Sequence, residues 1–155
     1  MIEKFYRAFQ NLDAEEMVKL YHQDIEFEDP VFGKLKGEKA KNMWRMLCSS
    51  SNKIEIYFSN IIEDKNSGSA NWKAEYFFKK TNRKIVNNIY AEFKFKDGKI
   101  INHKDIFSLY RWAIQAFGLK GIFIGWTPMF KTKLRNESHK YLDLYQRRKN
   151  RKVNI

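Results

Sequence analysis

The sequence predicts an α+β fold: a cone-shaped, curved and mostly antiparallel sheet wrapped around N-terminal helices, with a C-terminal helical extension. Three observations predict it. Apolar residues recur at helical spacing early in the chain. Period-two strands then cluster between residues 54 and 107, and helical spacing returns after residue 108. Strands grouped apart from helices favour α+β over alternating α/β architecture. A curved sheet of this kind leaves a funnel at its open end.

The elements follow in order. Ile2, Phe5, Tyr6 and Phe9 sit at i, i+3, i+4 and i+7, one helical stripe. Asp13 precedes Glu16 by three residues, a capping-box pattern that opens a second helix through Met17, Val18, Leu20 and Tyr21. Residues 24–29 alternate, with Ile25, Phe27 and Asp29 on one face, and Pro30 ends the strand or places it at an edge. A third helix over 38–48 carries Ala40, Met43, Trp44 and Leu47 on one stripe.

Four strands come next, over 54–62, 70–79, 85–95 and 100–107. Trp72, Ala74, Tyr76 and Phe78 share a face of the second. Ile101, His103, Asp105 and Phe107 share a face of the fourth. Asp97-Gly98 marks a hairpin between the last two. A helix over 108–117 ends at Gly118, a natural C-cap. Residues 121–126 read as apolar and irregular. The apolar segment from Phe117 to Phe130 is expected to cover the pocket mouth or to bury against a second subunit. Thr127-Pro128 opens a last helix as N-cap and first-turn proline.

Composition narrows the class. A chain of 155 residues suits one domain, and 43% hydrophobic with 16% aromatic residues excludes a disordered chain. The single cysteine, Cys48, excludes an intrachain disulfide and a site built from several cysteines. It reads as a buried thiol. No signal peptide is visible in the first residues, and no apolar run approaches the roughly 18 residues of a membrane span. The expected compartment is the cytoplasm.

The formal net charge is +12. Residues 131–155 hold nine Lys or Arg against two acids, so +7 of it lies in the C-terminal tail. A solvated tail is the expected reading and attraction of nucleic acid or anionic lipid to it the weaker one, so no nucleic-acid partner is expected.

Candidate chemistry centres on three residues. Asp29 lies on an apolar strand face, where burial raises a carboxyl pKa toward the range of a general base. His103 and Asp105 stand two apart on one strand, so the carboxylate can orient the imidazole as a proton shuttle. Trp44, Trp72, Tyr76, Ile89, Ala91, Phe93 and Phe107 are the expected pocket walls, suited to a flat apolar molecule. One histidine with two carboxylates is a poor metal set, so neither a metal nor a cofactor is expected. His22 and His139 read as surface residues. No phosphate loop, dinucleotide fingerprint or nucleophile elbow is present.

Two stretches carry a resemblance: YHQDIEFEDPVFG at 21–33 and FKFKDGKIINHKDIF at 93–107. Through them residues 1–110 resemble the nuclear transport factor 2-like superfamily, on the side of the SnoaL-like polyketide cyclases and ketosteroid isomerases. Residues 111–155 would then be a helical extension packed on that cone. It is similar to a bacterial subgroup through YRW at 110–112, QAFG at 115–118 and GWTP at 125–128.

The resemblance puts Asp29 at the isomerase general-base position. The tyrosine and aspartic acid of the isomerase oxyanion hole align with Phe5 and Ala91, so both donors are missing and that reaction is not expected. Asp105 matches an acidic residue of the cyclases and of limonene epoxide hydrolase-like proteins. The Arg-x-Asp unit of those hydrolases is absent from residues 71–75. Two readings follow. One is an enzyme moving a proton beside a carbonyl in a small hydrophobic compound. The other is a non-catalytic ligand-binding or scaffold protein, and a homodimer through the sheet is common in such proteins.

Overall fold

The computed structural model describes residues 1–50 and 54–153. Helices α1 (Ile2–Gln10) and α2 (Ala14–Lys19) lead into strands β1 (Tyr21–Asp29) and β2 (Gly33–Lys36). Helix α3 (Gly37–Ser50) is followed by strands β3 (Glu55–Glu63), β4 (Ser67–Phe78), β5 (Arg83–Lys96) and β6 (Lys99–Ile106). Helices α4 (Leu109–Phe117), α5 (Leu119–Ile124) and α6 (Pro128–Val153) complete the chain.

The six strands form one sheet in the order β2-β1-β6-β5-β4-β3. All neighbours are antiparallel except β1 and β6. That parallel pair joins the two stretches that carry the resemblance. It sets Phe27 beside His103.

The predicted α1 stripe holds, and Ile2, Phe5, Tyr6 and Phe9 are all buried against the sheet. Asp13 caps α2 by accepting the Glu16 N–H at 3.0 Å. Asp97 and Gly98 both take positive φ at the β5–β6 hairpin, as a primed turn requires. Thr127 Oγ1 accepts the Phe130 N–H at 3.2 Å and caps α6.

The sequence expectations need five corrections. Tyr21 belongs to β1, not to the second helix. β2 was not foreseen: four residues, with Gly33 and Leu35 buried and Lys34 and Lys36 exposed, form the sheet edge. A register shift between β5 and β6 turns Ile100 fully inward and leaves Ile101 half-buried, while His103 and Asp105 remain inward. Residues 119–124 are helical rather than irregular. His22 and His139 are partly buried rather than surface groups.

Two apolar clusters result. The larger fills the cone between the sheet and α1 to α3, and Leu142 of α6 joins it. The smaller gathers Ile85, Trp112, Ala113 and Ala116, with Phe130 and Leu134 of α6 packed on it. The N-terminal half of α6 therefore rests on one cluster and its middle on the other.

Candidate active site

The cone interior is dominated by aromatic rings, and rings alone would leave His103 and Asp105 without partners. Four donors resolve this. Trp44 Nε1–H donates to the Tyr21 hydroxyl at 2.7 Å. The Tyr21 hydroxyl lies 2.7 Å from His103 Nδ1, and His103 Nε2 lies 3.0 Å from Asp105 Oδ1. Trp72 Nε1–H donates to the same Asp105 oxygen at 3.1 Å.

The indole of Trp44 can only donate, so the Tyr21 oxygen accepts and spends its own proton on Nδ1. A neutral imidazole protonated at Nε2 satisfies every member of the chain. The direction of donation runs from Trp44 through Tyr21 and His103 to Asp105.

The ring of His103 is enclosed on all sides. Phe93 lies 4.2 Å away by centroid, Trp44 stacks on it at 15°, and Phe5 and Phe27 meet it edge-on. His103 has no exposed surface, and Asp105 is 4% exposed. Burial raises the Tyr21 and Tyr6 hydroxyl pKa values well above the usual phenol range, and the Asp105 carboxylate adds to both shifts. Tyr6 is the unexpected member: its hydroxyl is buried and has no hydrogen-bond partner.

Asp29 sits at the end of β1. Its Oδ1 accepts the N–H groups of Val31 at 2.9 Å and Phe32 at 2.5 Å, which shapes the turn into β2. Burial nevertheless pushes its carboxyl up to about 7. The Asp105 charge also raises it, while the two backbone donors and the Arg135 guanidinium pull the other way. Asp29 thus combines the turn role with a titration near neutrality. No hydrogen bond joins it to His103 or Asp105 among the described residues.

Helix α6 closes over this turn. Gly33 has φ +68°, and a Cβ there would lie 2.9 Å from the Arg135 guanidinium carbon. Arg135 Nε is buried without a partner, and His139 Nε2 donates to the Phe32 carbonyl at 2.7 Å. Arg135 Nε and the Tyr6 hydroxyl are the two unpartnered buried side-chain groups among the described residues.

The predicted wall residues divide. Trp44, Trp72, Ala91 and Phe93 lie in the main cluster with His103 and Asp105 on the inner face. Ile89 is buried further along β5. Tyr76 bridges the two clusters and accepts a hydrogen bond from Trp112 Nε1 at 2.8 Å. Phe107 is half-buried just beyond the end of β6.

The cone around His103 is occupied by these side chains. An open groove of about 530 Å³ lies on the sheet, lined by exposed Tyr57, Asn71, Asn88, Tyr90 and Ile106 among others. Asp29, His103 and Asp105 do not line it. Among the described residues, no group of three or more His, Cys, Asp or Glu side chains is placed to hold a metal. No described helix is long and apolar enough to cross a membrane.

Residues 2–103 match the family model of the SnoaL-like domain. A protein with a ketosteroid isomerase-like fold from Catenulispora acidiphila, solved with trimethylamine, superposes with a TM-score of 0.66 at 14% identity. The match covers 82% of this chain and 96% of that one. A candidate polyketide cyclase from Pseudomonas putida gives 0.61 at 15% identity, over 74% and 93% of the two chains. An NTF2-like protein of unknown function from Burkholderia pseudomallei gives 0.58 at 13% identity, over 68% and 86%. These likenesses establish the fold. No functionally curated protein matches the chain.

Proposed function

The chain belongs to the SnoaL-like domain family, and on that footing we propose that it is a proton-transfer enzyme acting on a small hydrophobic carbonyl compound. Asp29 is the base in this reading. The observation that carries it is the Asp29 carboxyl, raised to about 7 by burial at the rim of the cone. A base with a pKa near the working pH is half-ionised and still strong enough to take a weakly acidic proton.

The reaction class follows from what surrounds it. Asp29 takes the proton from the carbon beside the carbonyl, leaving an enolate. The charge then sits on oxygen and needs donors. Arg135 Nε is buried, unpartnered and close enough for its guanidinium to act on the Asp29 carboxyl, so it is the donor this reading calls on. The proton returns from Asp29 to another carbon of the conjugated enolate, which gives isomerisation, or the enolate attacks a second carbonyl and the alkoxide formed takes the proton back from Asp29, which gives cyclisation. Asp105, held by His103 and Trp72, is the inner acid–base partner, and the imidazole shares its charge changes with Tyr21. Substrate access requires His139 to leave the Phe32 carbonyl, so this stretch of α6 acts as a cover.

The test is hydrogen exchange in deuterated water on a panel of apolar ketones, followed by NMR. The wild-type protein should exchange the protons beside the carbonyl, with a rate that rises as pH passes through about 7. Asp29→Asn should lower it roughly 10²–10⁴-fold. Equal rates for the two proteins on an accepted ketone would remove Asp29 from the mechanism.

The occupied interior favours a second reading, a non-catalytic hydrophobic-ligand-binding or scaffold protein. A bound ligand would then be recovered unchanged, and Asp29→Asn would leave its affinity intact. Exposed Tyr57, Phe77, Tyr90 and Ile106 on the sheet support a homodimer in either reading.

A further inference from the structure

The helical extension carries its large apolar side chains on the outside. Leu119, Phe123, Trp126 and Met129 are 76%, 75%, 71% and 79% exposed, and Ile122 and Ile124 are exposed beside them. The cause is the way α5 is seated. A Cβ on Gly121 would lie 2.2 Å from the Ala113 carbonyl oxygen of α4, and one on Gly125 would lie 2.7 Å from the Ala113 Cβ. The two glycines are four apart, so they share one face, and that face is bare backbone pressed on α4. Leu119 and Phe123 stand two residues either side of Gly121, about 200° around the helix, and point away. A helix of a soluble protein normally turns its apolar side inward. Here the small residues are inside and the large apolar ones outside.

A patch of this size in water points to a contact surface. A second copy of the chain and a lipid surface are the two occupants to separate, and charge separates them. From residue 106 to residue 136 the chain has five basic residues, Arg111, Lys120, Lys131, Lys133 and Arg135, and no Asp or Glu. The flanking acids are engaged: Asp105 is buried with His103, and Glu137 pairs with Lys80 at 2.6 Å. Lys120, Lys131 and Lys133 are exposed and have no ion pair among the described residues. Met129 and Lys133 are four apart and share a face of α6. Two such patches meeting in a dimer would oppose like charges, whereas an anionic bilayer matches both the apolar centre and the basic rim.

We propose that α5 and the first turns of α6 dock on the surface of an anionic lipid bilayer. Phe123 and Trp126 enter the headgroup layer, the level that tryptophan favours in membranes, and the lysines lie among the headgroups. The inference stands whether or not Asp29 is a catalytic base.

Co-sedimentation tests it, using vesicles of phosphatidylcholine alone and of phosphatidylcholine with phosphatidylglycerol in equal parts. The protein should sediment with the mixed vesicles and not with phosphatidylcholine, and salt should release it. Its tryptophan emission should shift to shorter wavelength on binding, and Trp126→Phe should abolish that shift. Phe123→Ser with Trp126→Ser should lower partitioning about tenfold or more. Lys131→Glu with Lys133→Glu leaves the apolar cluster intact and should lower it about as far. Circular dichroism confirms that each variant is folded. Wild-type protein that stays in solution with both vesicle types overturns the inference. So does binding that both double variants retain. A stable dimer in light scattering that the Phe123/Trp126 variant dissolves would assign the patch to a second copy instead.

Discussion

Trp44 and Trp126 stand for two regions that handle apolar surface in opposite ways. Trp44 is buried in the cone, stacked on His103 and donating to Tyr21. Trp126, just past α5, is mostly exposed and has no hydrogen-bond partner among the described residues. The cone turns its large rings inward and then supplies each enclosed polar atom with a partner, Tyr6 excepted. The extension puts glycine inward and rings outward. The contrast teaches that stability is concentrated in the cone and at the points where α6 reaches it, while the outer side of α5 is free to serve a contact. Substitutions can break or sharpen that division.

The largest effect is expected at His103. His103→Ala removes one member of the chain, leaves the Tyr21 O–H without an acceptor and Asp105 with Trp72 alone, and opens a cavity among Phe5, Phe27 and Phe93. Loss of about 4 kcal/mol in urea unfolding is expected. A loss below about 1 kcal/mol would mean that water already reaches the chain.

Leu142→Ala comes next. Leu142 belongs to α6 yet is fully buried in the cone cluster, so it should cost about 3 kcal/mol in the same measurement. A loss under about 0.5 kcal/mol would show α6 to be detachable and would sharpen the boundary between the regions.

The third effect depends on pH. The folded pKa of Asp29 lies above the ordinary carboxyl value, so between pH about 4 and about 7 the folded chain holds a proton that the unfolded chain has released. Stability is therefore full below pH about 4 and falls as pH rises to about 7. Asn can keep the acceptor for Val31 and Phe32 without that loss. The gap from about 4 to about 7 corresponds to about 4 kcal/mol, and partial exposure of Asp29 lets water screen about half of it, so Asp29→Asn should be more stable than wild type by about 2 kcal/mol at pH 8 and equal to it at pH 3. Parallel pH–stability curves for the two proteins would place the Asp29 carboxyl in water.

The smallest effect is on α5. Phe123→Ser should change stability by no more than about 0.5 kcal/mol, despite the loss of a large aromatic ring. A loss of 2 kcal/mol or more would mean that the ring is packed rather than free, and the contrast between the regions would fail.

The cone was legible in the sequence because its signals are periodic. The stripe of Ile2, Phe5, Tyr6 and Phe9 and the alternation through Trp72, Ala74 and Tyr76 fix which side faces inward. The shared inward face of His103 and Asp105 was legible in the same way. The extension was harder to read. The glycines of residues 121–125 suggest an irregular loop, because helix propensity counts glycine as a breaker. A helix pressed onto another backbone needs glycine, and only the packed partner Ala113 shows that need. β2 is too short for alternation to stand out.

Of the candidate site, the local features were readable and the long-range ones were not. Asp29 on an apolar face signals an altered pKa, but Arg135 lies over a hundred residues away and reads as part of a basic tail. His139 reads as surface for the same reason, until α6 brings it to the Phe32 carbonyl. Tyr6 looks like ordinary core, and no sequence pattern reveals that its hydroxyl lacks a partner.

The chain from Trp44 to Asp105 also gives the molecule an internal clock. The Nε2 proton of His103 is held by Asp105 and walled in by rings, so it can trade places with a solvent proton only when the cone opens. Its lifetime in an NMR spectrum therefore times that opening directly. Any molecule that reaches the interior must use the same event, so the fastest rate at which this protein can admit a guest is written in the residence of one proton.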